Sequence, residues 1–299
     1  MRHAYLFILT GNQPVVEAAI RMIDDSRNDI FILASESERK YYGSIKTNFS
    51  KIVVIETDIL VTWSGTLWEG MLELIKVAAP GHYAYYHLLS ETCLPIKTQD
   101  QIHNFFDSQT QKLIYMHVNC HTFKSIQERC KTKYPFVYWK NFRKHKSIKL
   151  LALIIVKIKI FFGVNRLKNN KELPVIWNGW NWFSIPDDFA QYAVSKEDLL
   201  HRTFDYTLAS DEVFLQTLAM NSETFKNRMY GFNGRDDAMD ASKRFIKWNT
   251  KRWTPLVFKE HDFEEIISQP YFFARKFKAD VDMKIVQKLE NFLAGEKKT

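Results

Sequence analysis

Apolar runs of strand length alternate with amphipathic stretches of helix length through the first 115 residues, and this alternation restricts the fold more than any other feature. Ala4–Leu9 (AYLFIL), Asp29–Ala34 (DIFILA), Ile52–Ile55 (IVVI), Tyr83–Leu89 and Lys112–Val118 (KLIYMHV) read as strands. Unbroken apolar runs of this length mark strands buried on both faces, as in a parallel sheet. Thr10-Gly-Asn-Gln-Pro14 reads as a turn, with Asn12 as a helix N-cap and Pro14 in the first helical turn. Val15, Val16, Ala19, Ile20 and Ile23 give that helix one apolar stripe. Gly65–Ala78 and Gln99–Phe106 read as two more helices. The expected fold is α/β, a mostly parallel sheet flanked by helices. Such sheets bind ligands beyond the carboxyl ends of their strands, so the candidate site loops are Thr10–Pro14, Ala34–Lys40 and Ser90–Thr98.

The rhythm breaks at residues 119–172, a Lys/Arg-rich stretch containing SIKLLALIIVKIKIFFG. On a helical wheel Lys146, Lys149, Lys157 and Lys159 share one half. Leu150, Leu151, Ile154, Ile155, Ile158, Phe161 and Phe162 share the other, while Leu153, Val156 and Ile160 intrude on the basic half. The pattern suits a basic amphipathic helix at an anionic membrane surface, and equally an ordinary helix docked on the core with its lysines in solvent. Regular patterning resumes after Pro174. Val175–Ile185 carries three Trp and a Phe, Pro186–Val194 starts a helix, and Ser210–Met220 reads as a helix with Asp211 and Glu212 in its first turn. Phe272–Lys278 and Val281–Leu293 close the chain, the latter as a helix. The expected organisation is one large domain over 1–299: an α/β half at 1–118, a basic insertion at 119–172 and a second half at 173–299.

A net charge of +8 favours a polyanionic partner such as nucleic acid, an anionic membrane or a phosphorylated substrate. No nucleic-acid motif accompanies it, and the charge gathers near 140–170, so nucleic acid is the weakest of these. Three Cys exclude a disulfide framework and favour a reducing compartment. The opening MRHAYLFILTGNQP holds an apolar run too short for a signal peptide, and the expectation is a cytosolic protein. The sequence has no phosphate-binding glycine loop, no G-x-S-x-G and no Cys/His set with metal spacing. No Asp-x-Asp follows the fourth strand, and Asp280-Val-Asp282 reads as a surface pair near the C-terminus.

Seven segments, in order, resemble the core-2/I-branching β-1,6-N-acetylglucosaminyltransferase family, which includes protein xylosyltransferases and bacterial polysaccharide enzymes. They are AYLFILTGNQP (Ala4–Pro14), RNDIFILA (Arg27–Ala34), YYHLLSETCLPIKT (Tyr85–Thr98), GWNWFSI (Gly179–Ile185), SDEVFLQTL (Ser210–Leu218), RFIKW (Arg244–Trp248) and FFARKF (Phe272–Phe277). The resemblance implies a GT-A-like fold and inverting, metal-free transfer of a sugar from a UDP-sugar to a glycan hydroxyl. No cofactor or metal is expected. UDP-GlcNAc is the expected donor, with UDP-xylose, UDP-galactose or UDP-glucose as alternatives. The acceptor would be an oligosaccharide or lipid-linked glycan of surface-polysaccharide assembly, met at the inner face of the cytoplasmic membrane. A non-enzymatic basic module for membrane surfaces is the rival reading.

The same resemblance implies roles for individual residues. Glu212 occupies the catalytic-base position, and a carboxylate there suits deprotonation of an attacking hydroxyl. Lys276 matches the diphosphate-binding lysine; Arg252 is the candidate for its arginine partner, with Lys251 and Arg275 as rivals. Thr10, Asn12 and Ser35 fall at nucleotide-binding positions, and Trp248 and Arg129 at acceptor-binding ones. Two departures bear on the donor: the strand-end position holds Ser35 rather than the acid the resemblance implies there, although Glu36 and Glu38 follow it, and Cys93 stands where the family often has Asp.

Overall fold

A computed structural model describes residues 1–9, 11–56, 65–139, 142, 144–233, 236–251 and 254–296. Its first half runs β1 (His3–Ile8), α1 (Gln13–Ile23), β2 (Asn28–Leu33), α2 (Glu36–Ser44), β3 (Lys51–Val54), α3 (Leu67–Ala78), β4 (Tyr85–Ser90), β5 (Cys93–Pro95), α4 (Gln99–Asp107) and β6 (Tyr115–Met116). The insertion supplies α5 (Lys124–Cys130) and α6 (Lys146–Phe161). The second half continues with β7 (Phe183–Pro186), α7 (Asp187–Ser195), α8 (Glu197–Phe204), a 3-10 turn (Ser210–Glu212), α9 (Phe214–Met220), α10 (Glu223–Lys226) and α11 (Ala238–Ser242). It ends with β8 (Arg244–Ile246), β9 (Trp248–Asn249), β10 (Thr254–Pro255), α12 (Phe263–Ile267), β11 (Phe273–Arg275) and α13 (Met283–Glu296).

The main sheet has the order β3-β2-β1-β4-β7-β6. The first four strands are parallel, in the register His3↔Asn28 and His3↔Tyr85 around β1. Residues of β1, β2 and β4 are buried throughout, which is why these strands read as mainly apolar runs, with His3, Asn28, Asp29, His87 and Ser90 as buried polar exceptions. Strand β7 is antiparallel to β4, and β6 to β7. Lys112–Val118 therefore makes a two-residue edge strand rather than a full parallel one; Ile114, Tyr115 and Met116 are apolar because they face the core, not because a long ladder holds them. A second sheet, β5-β11-β8, stands beside the first. The fully buried Arg244 links the two, donating to the carbonyls of Ser242, Leu88 and Phe183 at 2.5, 3.1 and 2.5 Å. One apolar core runs from Ala4 to Leu293.

Two other expectations are corrected. Ser210–Met220 is not one helix. Ala209 is left-handed at φ 51°, and the Glu212 carbonyl accepts from the Gly179 amide at 2.9 Å, outside the helical ladder. A tight turn therefore holds Ser210–Glu212, and the α-helix starts at Phe214. The insertion also docks by an unexpected stripe, although Lys146, Lys149 and Lys157 stay exposed as an ordinary docked helix would have them. Ala152 and Val156 of α6 pack with Tyr134, Val137 and Phe142 in a satellite core, with Leu153 and Ile160 against it. The wheel's apolar half faces outward.

Candidate active site

Strand order reverses between β1 and β4, and the loops after these strands form one side of a cavity of about 440 Å³. Its lining includes Gly11 and Asn12 after β1, Glu91 and Thr92 after β4, and Lys276, Lys278, Ala279 and Asp280 after β11. Two of the three loops named from sequence, Thr10–Pro14 and Ser90–Thr98, thus meet here. Asn12 holds the cavity together. It occupies the N-cap position of α1, but in the left-handed region at φ 59°, with no side-chain cap bond. Its amide donates to the carbonyls of Glu91 (2.5 Å) and Phe277 (3.2 Å), and its Oδ1 accepts from the Ala279 amide at 3.0 Å. One side chain thereby cross-links the three loops. Asn tolerates this backbone better than most side chains, and Gly11 before it, at φ 140°, needs to be glycine.

Lys276 is half-buried, and its ammonium is held below the usual lysine range, first by burial, then by the charges of Arg275 and Lys278, with Glu91 opposing. Two lysines whose mutual repulsion an anion would relieve suit a phosphate or diphosphate. The Glu91 and Asp280 carboxylates suit hydroxyls of a bound sugar or ribose as hydrogen-bond donors.

Segment 179–182 runs between Arg275, the neighbour of Lys276, and the remaining candidates. Gly179 sits so close to the chain after β6 that a Cβ would lie 1.8 Å from the His117 carbonyl oxygen, so only glycine fits. That approach lets the Gly179 amide reach Glu212 and the Trp180 amide donate to His117 Nδ1 at 3.1 Å. His117 Nε2 therefore carries the proton it shares with Asp236. Asn181 donates to Asp211 Oδ2 at 3.2 Å, holding the same 3-10 turn. The Trp180 ring lies 5.7 Å from Trp248, and the Arg275 guanidinium 4.6 Å over the Trp182 ring. The Glu212 turn, the aromatic pair and the strand before Lys276 all adjoin four consecutive residues.

Glu212 is the exposed member of its turn, with a side chain 49% accessible beside the well-buried Asp211. Arg129 on α5 approaches it at 3.8 Å and donates to the Ala209 carbonyl at 3.4 Å, so the residue expected to touch acceptor flanks the candidate base. Ser35 starts α2 and donates to Glu38 Oε2 at 2.8 Å; it does not line the cavity. Cys93 is buried in β5 opposite Arg275. Lys251 is exposed. Thr10 and Arg252 lie outside the described residues. Sequence reading missed Glu91, Lys278, Asp280, Trp180 and Trp182 as site residues; the Lys-x-Lys spacing at 276–278 and the clustered Trp of 177–182 were the available signals.

Among the described residues, one group has metal-ligand proximity: His3, His103 and Asp107, at the amino-terminal end of β1 and so at the sheet edge opposite the cavity. Its atoms already bond one another, with His3 Nε2 3.1 Å and His103 Nδ1 3.3 Å from Asp107.

Xylosyltransferase sqv-6 of Caenorhabditis briggsae is 32% identical over 135 residues, covering 38% of this chain and 16% of that protein. Mouse xylosyltransferase 1 is 31% identical over 137 residues, covering 39% of this chain and 13% of that protein. The chain thus spans about one sixth or less of the length of these curated relatives. The crystal structure of mouse xyloside xylosyltransferase 1, apo form, aligns with 75% of this chain and 83% of that one at 10% identity and a TM-score of 0.35, too distant to bear on the site. A model of the Core-2/I-Branching enzyme family matches residues 3–269, a span that takes in β1, the Glu212 turn, segment 179–182 and Trp248. By that match the chain belongs to the Core-2/I-Branching enzyme family.

Proposed function

We propose that the chain is a metal-independent, inverting glycosyltransferase that moves a sugar from a UDP-sugar to a hydroxyl of an oligosaccharide or lipid-linked glycan, acting as a peripheral protein at a membrane face. The observation that carries this reading is the cavity at the β1/β4 reversal, with Lys276 and Lys278 in its wall, and segment 179–182, which meets Arg275 next to Lys276 at one end and Glu212 at the other.

In this reading the diphosphate lies against Lys276 and Lys278, while Glu91 and Asp280 accept from donor hydroxyls. The acceptor sugar packs on Trp180 and Trp248, whose faces offer the apolar area a pyranose ring needs. The acceptor oxygen bonds to the anomeric carbon as the bond from that carbon to the diphosphate oxygen breaks. Glu212 takes the proton of the attacking hydroxyl. Lys276 and Lys278 offset the charge that develops on the departing UDP, the part a divalent ion plays in other transferases. Arg129 holds the Glu212 carboxylate toward the acceptor side.

For the donor, the motif resemblance supports UDP-GlcNAc with β-1,6 transfer, and the names of the sequence relatives support UDP-xylose as the second reading. A screen of UDP-GlcNAc, UDP-xylose, UDP-galactose and UDP-glucose for UDP release in EDTA tests both points. Release from one sugar nucleotide in EDTA is expected. Loss in EDTA with recovery in Mn²⁺ would overturn the metal-free mechanism, and no UDP binding at all would overturn the reading.

A further inference from the structure

Helix α6 is built inside out for a soluble surface. Its buried positions, Ala152 and Val156, are small or β-branched and hold it to the satellite core. Its larger residues, Leu150, Leu151, Ile154, Ile158, Phe161 and Phe162, point to solvent, with Phe161 85% and Phe162 76% exposed. A contiguous outward arc of this kind on a monomer marks an interaction surface. The arc is narrow and convex, and no described helix is long and apolar enough to cross a membrane.

Charge says what covers it. Between Arg129 and Lys171 the sequence holds thirteen Lys and Arg and no Asp or Glu, in a chain whose total is +8. The remainder of the protein is therefore net acidic, and the insertion alone is cationic. Lys146 and Lys157 lie along one edge of the arc and are exposed, and Lys149 is exposed further round on the same side. Outward apolar residues edged by lysines match an anionic bilayer, which offers hydrocarbon below and phosphate at the rim. A second copy of this face would bring the same uncompensated cations together, so self-association is disfavoured.

We propose that the outward face of α6 is a docking surface for anionic lipid, inserted shallowly and parallel to the bilayer. The surface is joined to the Glu212 turn. Arg166, just after α6, donates to the carbonyls of Cys130 and Asp205 at 2.8 and 2.7 Å, and Tyr138 stacks on Tyr206 at 4.2 Å. Arg129 then reaches Ala209 and Glu212. Docking α6 therefore sets the height of the base turn above the lipid, and favours acceptors carried on lipid.

The test is flotation of the full chain with phosphatidylcholine vesicles, with and without phosphatidylglycerol, at low and high salt. Two variants go with it: Phe161→Ser/Phe162→Ser, and Lys146→Gln/Lys149→Gln/Lys157→Gln. Neither set touches the satellite core or the cavity, and thermal melts and UDP binding report that both still fold. The expected result is binding only to vesicles with phosphatidylglycerol, weakened at high salt and lowered about tenfold or more in each variant. Equal binding to neutral vesicles, or none to anionic ones at low salt, overturns the proposal. So does concentration-dependent dimerisation that Phe161→Ser/Phe162→Ser abolishes, which would assign the face to a second copy. Because flotation needs no turnover, it can fail while the transferase reading stands, and the reverse.

Discussion

Replacing Lys276 by Ala removes the half-buried cation of the cavity and leaves Lys278 and the Asn12 cross-link in place. A hydrogen bond from a charged donor to a phosphate is worth about 1.5–3 kcal/mol, which converts to roughly 10- to 150-fold in affinity. Lys278 stays in the wall and takes up part of the load, so the expected loss in UDP affinity lies toward the lower end, about 10- to 50-fold. The pH dependence provides a second readout. Free Lys276 is held below the usual 10.5 by burial and by Arg275 and Lys278. A bound diphosphate favours its charged form and raises it again. Binding therefore takes up a proton once the pH passes the free value, and UDP affinity falls as pH rises through it. Below it, affinity from this residue is constant. Calorimetric titration of UDP in EDTA across neutral to alkaline pH is expected to show a plateau, then a decline that begins before the ordinary lysine range. Lys276→Ala should lower the plateau and lose the early decline; Lys276→Arg should keep most of the plateau. Affinity within twofold of wild type in Lys276→Ala, or an unchanged alkaline profile, refutes the assignment.

Two further outcomes follow from the same geometry. Gly179→Ala places a Cβ 1.8 Å from the His117 carbonyl oxygen, so segment 179–182 must shift by over an ångström. A displacement of that size costs on the order of 100-fold in turnover, while UDP affinity at Lys276 changes little; the reverse split in steady-state kinetics and calorimetry would show that the segment does not set the base. The buried His3, His87 and His103 are all held below the ordinary histidine range by burial, His103 down to about 4. In the unfolded chain they take protons near 6.5, so stability is full above that pH and is lost as pH falls from about 6.5 toward 4, by about 3 kcal/mol from His103 alone. Urea melts over this range check it, and His103→Gln should flatten the slope.

The central strands were legible because burial on both faces writes itself as runs rich in Ala, Ile, Leu and Phe. The β5-β11-β8 sheet was not, because its three-residue strands come from positions 93, 244 and 273 and carry no local period. Lys112–Val118 was overread for the opposite reason: apolarity reports burial, not pairing. Asn12 takes the N-cap position expected of it, but its side chain ties loops instead of capping the helix, and a residue that tolerates the left-handed region reads the same for either use. In Asp280-Val-Asp282 the two acids part company: Asp282 accepts from the Lys284 amide at 2.8 Å at the start of α13, while Asp280 lines the cavity. On α6 the two faces were resolved but their directions could not be, because Leu153, Val156 and Ile160, the residues that blurred the basic half, are the ones that dock. Glu212 and Lys276 stand out as candidates only through motif resemblance; an Asp-Glu pair at a helix start and a basic pair at a strand end have ordinary structural uses.

Glu212→Gln tests the central claim most directly, because it keeps the shape of the turn and removes only the base. The measurement is transfer to a glycan acceptor with the donor that the screen identifies, alongside UDP affinity and the thermal melt of the same preparation. The account expects turnover to fall on the order of 10²–10⁴-fold, with UDP affinity and melting temperature unchanged. Transfer within a few-fold of wild type would contradict it, and would leave Glu212 as the half-exposed end of a helical turn.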